Sequence, residues 1–414
     1  MFEGFWRRLR EEFGFLKGNF LVLMQSYVLS GFASGLWFLF RSNYIKELGA
    51  SVIEIGFISS IGSIISAVIA IPGAYIADRY GRKRVIVVFT YFVALGYLIH
   101  ALAPSWWWIL LGSVILNLSR VYLPALQAIE ADSLPKEKRG MGYSLISMAP
   151  SIFSAISPPI AGLIVSRYEL IPGMRMLYLA TTMIILTIAL LRTFYLEETL
   201  ETETKELSGL WSHITDSLTS LRQAAEDITG KLLSFTLMEI LYAFETPIYD
   251  VYLSLYALDA LGLTNIQWGL LNSVFLPVTV LIGIPAGKLV DKAPRRQSLL
   301  LAYVFSALVG IFFAYTDGIN WVLLAFLLRA IGQTIGFPAV HALRADLMPK
   351  EKRGRLIGLL TLAKRLAAVP SALLFAWVFD VNPQGLFVAS FIINILTLCI
   401  IWVSFNKRDL EKEN

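Results

Sequence analysis

About twelve apolar runs, each long enough to cross a lipid bilayer as a helix, limit what this chain can fold into. They fall at 19–44, 52–77, 83–103, 105–130, 143–167 and 174–195, then, after a polar stretch, at 232–256, 265–290, 297–315, 319–344, 356–379 and 385–404. A hydrocarbon core about 30 Å thick takes ~20 residues of helix to span. Lipid offers no partners to backbone N–H and C=O groups, so each run must satisfy its own as a helix; Gly and Pro are tolerated where neighbouring helices supply partners. The expected fold class is an all-α membrane protein. Composition agrees, since 57% of the 414 residues are hydrophobic and only 16% charged, well below the charge content of an ordinary soluble domain.

The runs divide into two copies of one unit. Ile71-Pro-Gly-Ala-Tyr-Ile-Ala-Asp-Arg-Tyr-Gly-Arg-Lys-Arg84 returns, degraded, as Ile284-Pro-Ala-Gly-Lys-Leu-Val-Asp-Lys-Ala-Pro-Arg-Arg-Gln297, which places Asp291 and Arg295 213 positions after Asp78 and Arg82. Ala131-Asp-Ser-Leu-Pro-Lys-Glu-Lys-Arg-Gly140 returns 214 positions later as Ala345-Asp-Leu-Met-Pro-Lys-Glu-Lys-Arg-Gly354. A third pair, Leu48 to Gly56 and Leu261 to Gly269, carries a capping box in each copy, Ser51 with Glu54 and Thr264 with Gln267, opening the following helix. Six spans per copy return the chain to its starting side, so the copies are parallel in the membrane. The predicted organisation is an N-terminal amphipathic segment (1–18), a six-helix half (19–195), a linker with an amphipathic helix (196–231), a second six-helix half (232–404) and a tail (405–414). Phe2, Phe5, Trp6, Leu9, Phe13 and Leu16 recur at helical spacing in the first segment, as do Leu210, Trp211, Ile214, Leu218, Leu221, Ala225 and Ile228 in the linker.

Loop charge sets the orientation. Arg79, Arg82, Lys83 and Arg84, then Lys136, Lys138 and Arg139, and in the second copy Lys292, Arg295, Arg296, Lys350, Lys352, Arg353 and Arg355, all fall on one side. The positive-inside rule makes that side cytoplasmic, with both termini, in a multi-pass protein of the cell membrane. The net charge of +5 is explained the same way, and no nucleic-acid partner is expected. The single Cys399 lies in the last apolar run and permits no intramolecular disulfide, and the N-terminus lacks the pattern of a removable signal peptide.

Together these features resemble the major facilitator superfamily of secondary transporters, whose members have two six-helix halves and a charged box between helices two and three. The usual box reads Gly-x-Leu-x-Asp-Arg-x-Gly-Arg-Lys. Asp78, Arg79, Gly81, Arg82 and Lys83 fit it, while its first position holds Ala74, with Gly73 one residue early. The box suits a cytoplasmic latch in which Arg82 meets the carboxylate of Asp132 and Asp78 meets a helix N-terminus, by resemblance that of the eleventh helix. Asp291, Arg295 and Asp346 form the weaker second-half equivalent, with Pro294 in place of the glycine; alternatively these charges serve topology alone. Arg329-Ala-Ile-Gly-Gln-Thr-Ile-Gly-Phe-Pro-Ala339 is similar to a segment that proton-coupled drug exporters carry in helix four, though here it stands in helix ten. Ser157-Pro-Pro-Ile-Ala-Gly162 partly resembles their Gly-Pro-rich segment in helix five.

The resemblance implies a central cavity lined by helices one, four, seven and ten. On those runs Trp37, Arg41, Asn117, Arg120, Gln127, Tyr242, Tyr249, Arg329 and Gln333 are candidate cavity residues. An ionisable group at a helix centre costs about 2.5 kcal/mol or more on insertion scales, so such groups face a cavity or a partner. Glu245, near mid-span, is the first candidate for a proton-binding carboxylate and Glu239 the second; the alternative is a structural ion pair with Arg120 or Arg329. Arg41 and Asp250, nearer the outer ends, are expected to reach water. Pro247 predicts a kink in helix seven that frees the carbonyl of Ala243.

No phosphate-binding glycine loop, metal-ligand cluster or nucleophile elbow is present in the sequence, so neither an enzyme nor a cofactor is expected. The expected function is secondary active transport of a small solute by alternating access, by a monomer in the lipid bilayer, with proton coupling as a hypothesis. Export of amphipathic compounds is favoured over uptake of sugars or organic anions. A non-transporting scaffold or sensor is the alternative of another class.

Overall fold

The computed structural model describes residues 15–135, 138–200, 210–315, 318–349 and 351–405. Most of the amphipathic segment expected before Leu16, together with Lys136, Lys350 and the tail from Asn406, lies outside the described residues. The described chain contains helices and no strand. We number the helices α1 (Gly18–Glu47), α2 (Val52–Tyr80), α3 (Arg82–Ala101), α4 (Trp106–Ser133), α5 (Arg139–Tyr168), α6 (Leu170–Tyr195), α7 (Gly230–Pro247 and its continuation to Ala260), α8 (Asn265–Lys292), α9 (Arg295–Ala314), α10 (Ile319–Leu347), α11 (Arg353–Val381) and α12 (Gly385–Ser404); among the described residues eleven of them, all but the interrupted α7, are long and apolar enough to cross a membrane.

Proline explains two interruptions. A proline has no N–H and its ring crowds the carbonyl four residues back. Pro124 thus disturbs the carbonyl of Arg120, and α4 tightens into a 3₁₀ turn at Arg120–Tyr122. In α7 the regular helix ends at Pro247, and wide π-helical turns follow at Ile248–Tyr252 and Tyr256–Ala260. Such turns are frequent where side chains must be re-aimed for function. The two capping boxes form as the sequence predicts: Glu54 accepts from the Ser51 N–H at 2.6 Å, and Thr264 accepts from the Gln267 N–H at 3.2 Å.

The chain forms two compact units, residues 1–41 with 68–214, and residues 42–67 with 215–414. Each buries the same layer of the repeat. Ala77, Ile86, Ala125 and Ile129 pack together in the first unit; their counterparts 213 or 214 positions on, Val290, Leu299, Ala339 and Leu343, pack together in the second. Leu281 and Ile284 on α8 are more than two-thirds exposed, as are Phe194 and Val403, a pattern that suits lipid rather than water. Within the second unit Lys46 bonds Asp259 at 2.7 Å; the two are 213 positions apart and so occupy the same place in the two copies.

Close approach of α1 to α5 in the first unit depends on glycine. A Cβ at Gly31 would meet the backbone of Pro150, and one at Gly35 the backbone carbonyl of Ser154. Backbone cannot yield as a flexible side chain does, so Gly31→Ala should destabilise by about 1–3 kcal/mol. That loss would appear as a lower Tm in detergent.

The linker helix, Leu210–Glu226, ends on the second unit. Ala224 is fully buried, Ile228 joins the apolar core, and Asp227 bonds both Lys352 and Arg355 at 2.6 Å. The hydrogen bond from Lys352, helped by the charges of Lys352 and Arg355, holds the Asp227 carboxyl below the ordinary carboxylate range. A depressed folded-state pKa means that the clamp acts in full above the ordinary Asp range and fades as pH falls through the lower folded value. Asp227→Asn should therefore speed amide exchange in residues 215–226 severalfold at pH 7, and the difference from wild type should shrink in strong acid.

Candidate functional site

In the second unit, α7 brings two carboxylates into the apolar interior, about 14 and 22 Å along the helix from Gly230 at ~1.5 Å per residue. Their surroundings differ. Glu245 is buried, and its Oε1 accepts from Ser390 Oγ at 2.5 Å and Asn394 Nδ2 at 2.7 Å. Ser390 and Asn394 are four apart on α12 and so share the face that meets α7. Tyr249, one turn beyond Glu245, bonds Ser390 Oγ at 2.8 Å, and the Arg329 guanidinium of α10 lies 4.4 Å over the Tyr249 ring. Among the described residues no cation is within ion-pair distance of Glu245. Both bonds fall on Oε1, which leaves Oε2 as the oxygen to take a proton. Asn394 Oδ1 is buried and has no donor among the described residues. A protonated Oε2 would donate to that oxygen and close an acid–amide pair with the Nδ2 bond already present.

Glu239 sits in an ionic setting instead. Its Oε2 accepts from Arg344 of α10 at 3.0 Å and from Lys364 of α11 at 2.7 Å. The partners are thus not Arg120 or Arg329, the two cations the sequence suggested. Arg329 lies fifteen residues before Arg344, roughly 22 Å along α10, too far to serve the same carboxylate. Protonating Glu239 would strand two cations, so it is the poorer proton carrier.

The other cavity candidates divide between the units. In the first, Trp37 packs against Tyr97 and Tyr178 with ring centroids 5.5 and 6.0 Å away. Arg41, just after α1 tightens into a 3₁₀ turn at Phe38–Phe40, is half-buried and bonds Ser113 Oγ at 3.4 Å. Asn117 bonds the Ser113 carbonyl at 2.8 Å, while Arg120 and Gln127 are exposed. In the second unit Tyr242 and Gln333 are exposed, as is Asp250.

At the charged end of the first unit, Arg82 bonds Asp132 at 2.5 Å and Thr199 at 3.1 Å. Gly81 is in the left-handed region (φ 87°), and the N–H of Lys83 donates to Glu198 at 2.9 Å, placing an anion at the α3 N-terminus where the helix dipole favours it. Arg79 bonds the Tyr75 hydroxyl at 2.6 Å. Asp78 lies in α2, but its side chain is outside the described residues. The second unit repeats the pair: Arg295 bonds Asp346 at 3.0 Å and the Val290 carbonyl at 2.9 Å, with Asp291 exposed.

Several residues escaped the sequence reading. Glu130 is buried and accepts from the Tyr27 hydroxyl, and Arg192, equally buried, bonds Thr90 at 2.8 Å and Ser26 at 3.3 Å. Glu130 and Arg344 are repeat counterparts at 214 positions, as are Ser26 and Glu239 at 213, so one helix contact carries different charges in the two copies. The signal for Asn394 was the spacing Ser390, Asn394, Thr397, a polar stripe on the most apolar helix.

A family model described as Major Facilitator Superfamily matches residues 19–369 and 235–414. Relatives include the multidrug resistance protein MdtG of Salmonella schwarzengrund, 26% identical over 338 residues, which cover 79% of this chain and 80% of that protein. The protein of the same name in Citrobacter koseri is 26% identical over 337 residues with the same coverage. Among solved structures, the nucleoside transporter NupG matches with a TM-score of 0.73 at 14% identity, over 94% of this chain and 100% of that one. A bacterial homolog of the human lysosomal transporter Spinster, inward-facing and occupied, matches with a TM-score of 0.74 at 14% identity, over 95% and 97%. At those identities the structural likeness speaks to the fold alone.

Proposed function

We propose that this chain, which belongs to the major facilitator superfamily, exports amphipathic small molecules across the cell membrane in exchange for protons, with Glu245 as the proton carrier. The observation that carries this reading is the setting of Glu245: a buried carboxyl with neutral donors on one oxygen, no ion pair among the described residues, and an unbonded amide oxygen on the same Asn394 that donates to it. Such a group changes charge without breaking a salt bridge, and each protonation state has hydrogen bonds to make. The direction of transport rests on the likeness to proteins named for multidrug resistance. In this reading the monomer lies with its charged end and both termini in the cytoplasm. Its six-helix halves, 19–195 and 232–404, move against each other in alternating access.

The test is flux in proteoliposomes prepared at acid internal pH and diluted into neutral buffer. Lipophilic dyes should accumulate in exchange for outgoing protons, well above protein-free liposomes, and nigericin should collapse the accumulation. Equal uptake with and without the gradient would exclude proton-driven export.

A further inference from the structure

The two copies of the repeat differ in charge at one buried layer. In the first unit that layer holds one acid and one base, Glu130 and Arg192, and their charges cancel. In the second it holds one acid and two bases, Glu239, Arg344 and Lys364. A single carboxylate oxygen accepts from both cations, at 3.0 and 2.7 Å, and one positive charge is left over. The leftover charge rests on side chains largely withdrawn from water, Arg344 at 21% and Lys364 at 30% exposed, around a Glu239 that is only 3% exposed. An uncompensated charge in such a place calls for a counterion.

The donors for one are in place. Lys364 carries three N–H groups and Arg344 five, and Glu239 takes one bond from each. Arg344 Nε is buried and has no acceptor among the described residues. The side chains of Arg344 and Lys364 remain 21% and 30% exposed, so a ligand can reach both. Because the two nitrogens share one acceptor atom, they lie close enough to share a second. Beside them Tyr242 of α7 is exposed, with its ring centroid 5.6 Å from Lys364 Nζ, an aromatic surface open to an apolar group. His341, one turn before Arg344 on α10, adds no negative charge in either of its protonation states.

We propose that Arg344 and Lys364, held in position by Glu239, bind the acid group of an amphipathic monoanion whose apolar body rests against Tyr242. The reading builds on transport by this chain and specifies its substrate class: an organic carboxylate, sulfonate or phosphate diester with an aromatic or aliphatic body, preferred over a cation of equal size. Glu239 acts as the internal counterion that keeps two like charges together, a positioning role that does not require it to titrate.

Two naphthalene probes of opposite charge separate the outcomes, 1-naphthalenesulfonate and 1-naphthylmethylamine, followed by flux in proteoliposomes with and without an imposed pH gradient. Wild type should carry the sulfonate. Lys364→Gln should raise its KM at least tenfold with kcat changed less than twofold, and Lys364→Arg should restore it. Arg344→Gln should act in the same direction, and ligand-dependent thermal shift with the sulfonate should report the same loss for both variants. Sulfonate transport unchanged in Lys364→Gln overturns the site. Carriage of the amine with the sulfonate ignored overturns it too, yet leaves proton-driven export standing if the amine flux follows the gradient. Sulfonate carriage that depends on Lys364 but not on the gradient upholds the site and removes the coupling. Failure of both probes to move or bind overturns both.

Discussion

Glu245→Gln should abolish transport driven by a pH gradient, lowering gradient-dependent accumulation at least roughly tenfold, while exchange of substrate across the membrane without a gradient survives. A tenfold change corresponds to about 1.4 kcal/mol of coupling, the size of one pKa unit of differential interaction. Glutamine has the shape of the protonated acid. Its Oε1 keeps the bonds from Ser390 and Asn394, and its amide donates to Asn394 Oδ1 as the protonated carboxyl would. The variant should therefore fold and bind but be fixed in one charge state. Glu245→Ala should behave differently, because Ser390 and Asn394 each lose a bond to the carboxylate and keep the Tyr249 hydroxyl and the Ser390 carbonyl, at 2.8 and 2.9 Å; a hydrogen bond to a charged group contributes about 1.5–3 kcal/mol, so Tm should fall as well as coupling. The comparison is made by counterflow, gradient-driven uptake and thermal unfolding on the same preparations. Gradient-driven uptake by Glu245→Gln at the wild-type level would move the proton elsewhere, and Glu130, buried against Tyr27, is the acid that would then be tested.

The spans, the duplication and both capping boxes were legible because they depend on local pattern, on hydropathy and on short-range hydrogen bonds. So was the disturbance at Pro247, which follows from the covalent structure of proline. Glu245 stood out as an acid in an apolar run. Its partners did not, since Ser390 and Asn394 come 145 and 149 residues later and periodicity tells which face of a helix is polar, not which helix that face will meet. Arg344 was hidden for another reason. It closes the run 319–344, where a cation reads as a topology signal, and only the fold shows it turned onto Glu239. Glu130 stood in the matching place at the end of 105–130 and was passed over in the same way.

Arg82→Ala should reduce the transport rate about tenfold and Arg295→Ala about threefold or less, at matched expression. The two pairs occupy equivalent places in the repeat, so the difference must come from their surroundings. Arg82 is 18% exposed and bonds both Asp132 and Thr199, whereas Arg295 is 30% exposed and divides its bonds between Asp346 and a backbone carbonyl. Asp132 and Asp346 are each 47% exposed, so solvent screens both pairs and neither reaches the value of a fully buried one. A charged hydrogen bond contributes about 1.5–3 kcal/mol before that discount. The first-unit pair also stands in a larger assembly: Glu198, next to Thr199, caps α3 through the Lys83 N–H, so Arg82 ties the chain beyond α6 to α4 as well as to α3. Losing it loosens three elements where losing Arg295 loosens fewer. Arg82→Asp combined with Asp132→Arg should recover part of the rate, since a reversed pair can still form, and hydrogen exchange at residues 82–86 should follow the rate across the series. If both alanine variants transport like wild type, the charged box serves insertion and orientation alone, and the asymmetry between the two copies carries no mechanical meaning.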